Sequence, residues 1–119
     1  MNEDLFHGLH HISMIASSVH TLEFYEKLGF REVHAIKDSH QHLIVMKGHG
    51  LTLEFLIDED HPRKEGNLGT RGVRCFALKA KDFDRVYQFL PCGPVRTNWL
   101  GKRYCSVRDI DGQIVEIHE

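Results

Sequence analysis

The sequence nearly repeats itself, and this repeat limits how the chain can fold. The first half opens with His11-Ile12-Ser13-Met14 and the second with Cys75-Phe76-Ala77-Leu78. A glycine follows 18 residues after His11 and 18 residues after Cys75, and another follows 37 residues after each. Glu54 then lies 43 residues beyond His11, and Glu116 lies 41 residues beyond Cys75. The repeat therefore predicts two similar modules, each with one nitrogen or sulfur donor and one carboxylate at matching places.

The repeat also indicates a candidate metal site. If the two modules pack face to face, one cleft brings together His11, Glu54, Cys75 and Glu116, and their imidazole, carboxylate and thiolate groups are ligands of divalent metals. A carboxylate within an otherwise apolar strand is costly unless it is paired or coordinated, which favours a ligand role for Glu54. A hydrogen-bonded core histidine is the alternative for His11, and Cys75 can equally be a small buried hydrophobe.

The composition narrows the class of protein. The 119 residues are enough for one compact domain, predicted over residues 1–119, and 41% hydrophobic with 27% charged residues is typical of a soluble globular protein. The net charge of -2, without a basic stripe, argues against nucleic-acid binding. No run approaches the roughly 20 apolar residues of a membrane span, and the N-terminal residues do not resemble a secretory signal. Three cysteines fit a reducing cytoplasm.

The first module, about residues 5–57, is predicted to be βαβββ. Ser17 and Ser18 offer N-cap oxygens for an amphipathic helix over 19–28, and Gly29 is placed to end it. The predicted strands are Leu9–Ala16, Arg31–Lys37, Gln41–Lys47 and Leu51–Ile57. A polar connector, residues 58–71, separates this module from the next.

The second module, about residues 72–119, repeats the order. Asp82 is a plausible N-cap for a helix over 83–90, and Asp109 to Gly112 is a tight hairpin turn. The predicted strands are Val73–Ala80, Val95–Leu100, Arg103–Arg108 and Gln113–His118. Because neither half buries a good core alone, we predict an α+β fold in which two βαβββ modules form a half-barrel around a cleft. The modules can pair within one chain or exchange between two chains.

Residues near the candidate ligands receive other roles. Neighbouring residues of a strand point to opposite faces, so His10 is expected to face away from His11. His118 shares a face with Glu116 and could be its partner, but we predict that it is exposed. Cys92 and Cys105 are predicted to be structural. Several cations could hold an anionic substrate group, although a solvated charge is the commoner role for each one alone: Arg71, Arg74, Lys102 and Arg103.

Three sequence segments indicate a family resemblance that extends over nearly the whole chain. They are Leu9-His10-His11-Ile12, Glu23-Phe24-Tyr25-Glu26-Lys27-Leu28-Gly29-Phe30, and Asp109-Ile110-Asp111-Gly112 followed by Glu116. Together they resemble the vicinal oxygen chelate superfamily, also called the glyoxalase/bleomycin-resistance/dioxygenase group. The last turn of that group usually reads Asp-Pro-Asp-Gly, and isoleucine replaces the proline here.

The resemblance implies a fold, a cofactor and a chemistry. It implies paired βαβββ modules, a homodimer, and a divalent metal (zinc, nickel, manganese or iron) held where His11, Glu54 and Glu116 stand. Lactoylglutathione-lyase-like members carry histidine at the position of Cys75, so this cysteine departs from their pattern. The implied function is that of a lyase or isomerase that acts on a small oxygenated substrate, such as a thiol adduct, through a metal-stabilised enolate-like intermediate. Glu54 or Glu116 would be the base.

Two other functions stay open. One is a thiol transferase or dioxygenase of the same superfamily, whose members usually need histidine at position 75. The other is a metal-free protein that sequesters a ligand, as bleomycin-resistance members do. Cys75 favours sequestration, whereas His11 and the two glutamates favour an enzyme.

Overall fold

The computed structural model describes residues 5–61 and 71–119 of the chain. The chain divides into two compact units, Met1–His61 and Pro62–Glu119, and the described part of each contains a four-stranded sheet and a short α-helix. The predicted α+β class and the two βαβββ modules are therefore confirmed. The predicted connector, 58–71, lies mostly outside the described residues. In the described part of the chain, no helix is long and apolar enough to cross a membrane.

The described residues of the first unit form four strands, a 3₁₀ turn and one α-helix. They are β1 (Ile12–Ala16), the 3₁₀ turn (Val19–Thr21), α1 (Leu22–Lys27), β2 (Arg31–Lys37), β3 (His42–Gly48) and β4 (Leu51–Ile57). The sheet order is β1-β4-β3-β2, with β1 parallel to β4 and the other pairs antiparallel. The Ser18 hydroxyl accepts a hydrogen bond from the backbone N–H of His20 at 3.2 Å, which confirms a cap at this position. The helix predicted over 19–28 is divided into the 3₁₀ turn and α1.

The second unit has the same connectivity. Its elements are β5 (Phe76–Lys79), α2 (Phe83–Phe89), β6 (Arg96–Thr97), β7 (Arg103–Arg108) and β8 (Ile114–His118), and the sheet order is β5-β8-β7-β6. Asp82 caps α2 by accepting a hydrogen bond from the N–H of Arg85 at 3.2 Å. The carboxylate of Asp109 accepts the N–H groups of Asp111 and Gln113, each at 2.9 Å. These bonds confirm the predicted hairpin turn.

Each unit has its own apolar core. The buried apolar residues of the first unit are Ala16, Leu22, Tyr25, Leu28, Phe30, Ile44, Met46, Leu53 and Phe55. Those of the second unit are Phe83, Leu90, Cys105, Val107, Ile114, Val115 and Ile117. Along the central strands β4 and β8, glutamates stand between these buried residues and point to the other face of the sheet. That second face is called the open face below.

Two strands begin later than predicted. β1 begins at Ile12 rather than Leu9, and β5 begins at Phe76 rather than Val73. Leu9 is 70% exposed and Val73 is 80% exposed. Neither side chain is buried in a core, so a longer strand would gain no stability from the burial of apolar surface.

The strand predicted at Val95–Leu100 is shortened to β6. The side-chain oxygen of Asn98 accepts hydrogen bonds from the N–H groups of Leu100 and Lys102, at 2.9 and 3.0 Å. An asparagine that bonds to the backbone in this way favours a turn over a strand. The chain therefore turns at Asn98, and this turn also positions part of the site described next.

Candidate functional site

Glu54 lies on the open face of the first sheet. In β4, Leu53 and Phe55 are buried while Glu54 is only partly buried, as the predicted alternation requires. The register places Glu54 between Ser13 of β1 and Val45 of β3. Its carboxylate therefore stands on a central strand, on the side that the core does not occupy.

His11 lies beside Glu54. Its Nε2 atom is 3.4 Å from a carboxylate oxygen of Glu54, and each of the two side chains is 31% exposed. His11 comes from the segment just before β1, two residues ahead of Ser13, the register partner of Glu54. The structure thus brings together two of the four predicted ligands.

The prediction that His10 and His11 point to opposite faces is wrong. Both residues precede β1, so the alternation of a strand does not apply to them. Their Nδ1 atoms are 2.8 Å apart, and the rings meet edge to face with centroids 5.1 Å apart. Because one Nδ1 must donate and the other accept, His10 fixes the orientation of the His11 ring. The Nε2 atom of His11 then faces Glu54.

Glu116 occupies the corresponding place in the second sheet. In β8, Val115 and Ile117 are buried and Glu116 between them is partly buried. The register places Glu116 between Ala77 of β5 and Ser106 of β7. Both glutamates therefore lie between the first and third strands of their own module, and the repeat in the sequence is also a repeat in strand register.

Cys75 lies in the second module where His11 lies in the first. It precedes Ala77, the register partner of Glu116, by two residues, just as His11 precedes Ser13. Its thiol is not in a disulfide, and the residue is partly buried. The position fits the predicted repeat, and the role of Cys75 as a ligand stays a prediction.

His118 is not exposed, contrary to our prediction. Only 18% of its side chain is exposed, and its Nε2 lies 2.8 Å from an oxygen of Glu116. Its ring stacks on Tyr104, with the centroids 4.9 Å apart and an angle of 8° between the planes. The shared face of positions 116 and 118 was visible in the sequence, but the stacking partner on β7 was not.

Asn98 decides which nitrogen of His118 carries the proton. Because the Asn98 oxygen already accepts two backbone N–H groups, its amide nitrogen is the atom that faces Nδ1 of His118, at 2.9 Å. An amide N–H donates, so Nδ1 accepts and the proton of neutral His118 lies on Nε2. His118 then donates that proton to one carboxylate oxygen of Glu116. This chain of bonds fixes the orientation of Glu116.

A cavity of about 660 Å³ opens beside Glu116 within the second unit. Its polar lining comprises Glu116, Tyr104, Ser106 and three arginines, Arg74, Arg96 and Arg108. Arg74 is among the cations predicted from the sequence, whereas Arg96 and Arg108 are not. The alternation of β7 could have found Arg108, because Tyr104, Ser106 and Arg108 share the open face with Glu116.

Arg103 has a structural role rather than the anion-binding role considered above. Its guanidinium pairs with Asp84 at 2.8 Å and with Glu119 at 2.7 Å, and it lies over the ring of Phe83. The hydrogen bonds from Arg103 hold the pKa of Glu119 at about 2, well below its ordinary value. The same two carboxylates raise the pKa of Arg103.

Cys92 and Cys105 lie close together. Burial, together with a hydrogen bond to the Cys92 thiol, raises the pKa of Cys105 to about 12. A thiol that resists ionisation is a poor nucleophile and a poor metal ligand. This agrees with the structural role predicted for Cys105.

The described residues contain no group of three or more His, Cys, Asp or Glu side chains that could hold a metal ion. Each module instead presents a pair, His11 with Glu54 in the first and His118 with Glu116 in the second.

No protein-family model and no curated protein matches the sequence. Solved structures do match its fold. A glyoxalase family protein from Enterococcus faecalis is 25% identical with a TM-score of 0.85, over 96% of this chain and 98% of that one. Lactoylglutathione lyase from Agrobacterium tumefaciens is 18% identical with a TM-score of 0.62, over 97% and 95%.

A third match is the fosfomycin resistance protein FosX from Listeria monocytogenes, in a complex with Mn(II) and a dihydroxypropylphosphonic acid. It is 18% identical with a TM-score of 0.73, over 96% of this chain and 93% of that one. All three matches extend over nearly the full length of both chains. The chain therefore belongs by its fold to the vicinal oxygen chelate superfamily, and the resemblance predicted from its sequence is confirmed.

Proposed function

We propose that this protein is a divalent-metal-dependent lyase or isomerase of the glyoxalase type, acting on a small oxygenated substrate. The observation that carries the proposal is the equivalent register of Glu54 and Glu116, each on the open face of a central strand. Two proteins whose fold is similar to that of this chain support the proposal: a lactoylglutathione lyase and a FosX protein bound to Mn(II).

Four residues would hold the metal: His11, Glu54 and Glu116, with Cys75 as the fourth candidate. Imidazole and carboxylate suit zinc, nickel, manganese or iron, and the contact between His11 and Glu54 already places two such donors side by side. When bound, the metal would act as a Lewis acid on substrate oxygens. The donors of the two sheets would have to converge, which is the half-barrel arrangement predicted from the repeat.

The residues of the chain itself would supply the proton transfer. Glu54 or Glu116 would act as the base on a carbon next to the substrate oxygens. The hydrogen bond from His118 would hold Glu116 in place, whereas the 3.4 Å contact of His11 leaves Glu54 less constrained. We further propose that the protein works as a homodimer in the cytoplasm, where its cysteines remain reduced.

Metal analysis of protein purified without added metal tests the proposal. We expect about one metal ion per chain, lost in His11→Ala and in Glu116→Gln and retained in the control Glu32→Gln on the exposed strand β2. Assays with methylglyoxal and several thiols then test the activity. A rate equal to the uncatalysed background with every thiol would count against glyoxalase chemistry.

The second candidate is a metal-free protein that sequesters a small ligand. It is favoured by the bond between His118 and Glu116, which satisfies part of that carboxylate without a metal, and by the polar cavity beside it. Tight binding of a bulky ligand by metal-free protein, with no metal at stoichiometric level after purification, would support this candidate.

A further inference from the structure

Three arginines line the cavity beside Glu116. Within the described residues, no side chain forms an ion pair or hydrogen bond with the guanidinium of Arg74, Arg96 or Arg108. Arg103 differs, because two carboxylates pair with it. Three arginines and one glutamate among the lining residues give this cavity two net positive charges. A bound anion would offset this charge.

The strand register explains how two of these arginines frame one place. Ser106 lies directly across from Glu116, Arg108 is two residues further along β7, and Arg96 pairs with Tyr104 on the other side. Residues two apart on a strand are about 7 Å apart, and an arginine side chain spans such a gap. Arg96 and Arg108 can therefore reach a ligand above Ser106 from opposite ends.

The remaining lining suits a small oxyacid group. Tyr104 and Ser106 line the same cavity, and a hydroxyl group can donate a hydrogen bond to an oxygen of a ligand. The volume of about 660 Å³ lies within the range of about 300–1,000 Å³ that is usual for small-molecule sites. A guanidinium matches the paired oxygens of a carboxylate, phosphate or phosphonate by two parallel hydrogen bonds.

We infer that this cavity binds an oxyacid group of the substrate, with Arg96 and Arg108 as the binding residues and Arg74 as a third cation. The assignment of the bound molecule as substrate rests on the proposed function, whereas binding of the anion itself does not need a metal. The inference narrows the substrate class to small molecules that carry a carboxylate or a phosphate-type group next to the reacting carbon.

The test is a titration of metal-free protein with methylphosphonate and, separately, with acetate, at fixed ionic strength. Binding is followed by the backbone amide shifts of residues 104–108 and 114–116. We expect saturable shifts with at least one probe. Tighter binding of methylphosphonate assigns a phosphate-type group, and tighter binding of acetate assigns a carboxylate.

Arginine variants distinguish specific binding in the cavity from general attraction of anions to a basic surface. Arg96→Gln and Arg108→Gln should each weaken binding about tenfold or more, and Arg108→Lys should recover only part of it because lysine lacks the paired donors. The control Arg85→Gln, on helix α2, should bind as the wild type does. An unchanged thermal midpoint shows that the variants remain folded.

Two results would overturn the inference: no saturable shift with either probe, or equal weakening by Arg85→Gln. The metal analysis described above is independent of it. A protein that binds these anions but no metal would retain the cavity assignment and overturn the metalloenzyme. A protein that binds metal but neither anion would overturn the cavity assignment and leave the metalloenzyme proposal standing.

Discussion

The two modules have the same strand order and the same place for a glutamate, but they surround that glutamate differently. In the first module the histidine beside it, His11, comes from the segment before β1. In the second module that position holds Cys75, and His118 contacts Glu116 from the same strand. The comparison shows that the register of a βαβββ module determines where the carboxylate stands, while the neighbouring donor can come from either of two positions.

The surroundings of the two glutamates also differ in charge. In the described part of the chain, the cavity with three arginines lies against Glu116 in the second module. Glu54 instead has the His11–His10 pair as its neighbour. Under the proposed function, the first module would supply metal donors and the second would also bind the substrate anion.

The cores provide the largest expected effect. Among the described residues, the first unit buries three aromatic rings, with Tyr25 packed on Phe55 at 4.8 Å between centroids. Strand β8 buries smaller residues such as Val115. Phe55→Ala should therefore lower the free energy of unfolding by about 3–5 kcal/mol, and Val115→Ala by about 2 kcal/mol. Urea unfolding of both variants measures the difference. If both variants lost the same free energy of unfolding, the prediction that the core around Phe55 contributes more stability would be wrong.

The next effect concerns the histidine of the second module. If His118 orients Glu116 as a ligand, His118→Ala should lower metal affinity about 10–100-fold, as is usual for residues that hold a metal ligand. Isothermal titration of metal into both proteins measures it. His34→Ala, on the exposed strand β2, is the control. Affinity equal to that of the wild type would remove His118 from the metal site and leave it a packing role against Tyr104.

Much of this arrangement was predictable because it is local. The alternation of β4 and β8 predicts which faces carry Glu54 and Glu116, and Ser18 and Asp82 were identified as caps from residue type alone. The periodicity of a strand depends on its own sequence, so such features can be inferred without the partner strands.

Features that depend on a distant partner were not predictable in the same way. His118 was predicted to be exposed because nothing in β8 indicates that Tyr104 lies under its ring. Asn98 was placed within a strand, although its side chain turns the backbone and then bonds to His118. Similarly, His10 was assigned to the opposite face because the strand was expected to begin before it.

A smaller effect on metal affinity is expected when the second module is given the same candidate donor residue as the first. Cys75→His gives the second module the residue that the first has at this position, so metal affinity should be retained or increased. Titration of the variant with zinc and with manganese measures it, and Cys92→Ser is a control at another partly buried thiol. A collapse in binding would show that the sulfur of Cys75 is specifically required.

The smallest effect concerns the acid stability of the second module. The bonds of Glu119 to Arg103 lower its pKa from 4.5 to about 2 in the folded chain. A carboxylate with a lowered pKa contributes stability that is complete above its unfolded value and is lost as the pH falls. The Arg103–Glu119 contribution should therefore be present above about pH 4.5 and disappear between about pH 4.5 and 2.

Glu119→Gln tests this contribution. The variant should show a smaller decrease in urea midpoint over that acid range than the wild type, because glutamine cannot titrate. Glu26→Gln, on the exposed side of α1, is the matched control and should retain the full decrease. Since both carboxylate contacts of Arg103 are solvent-exposed, the effect should be small and should diminish with added salt. A variant whose acid profile overlays that of the wild type at low salt would show that this pair does not stabilise the second module.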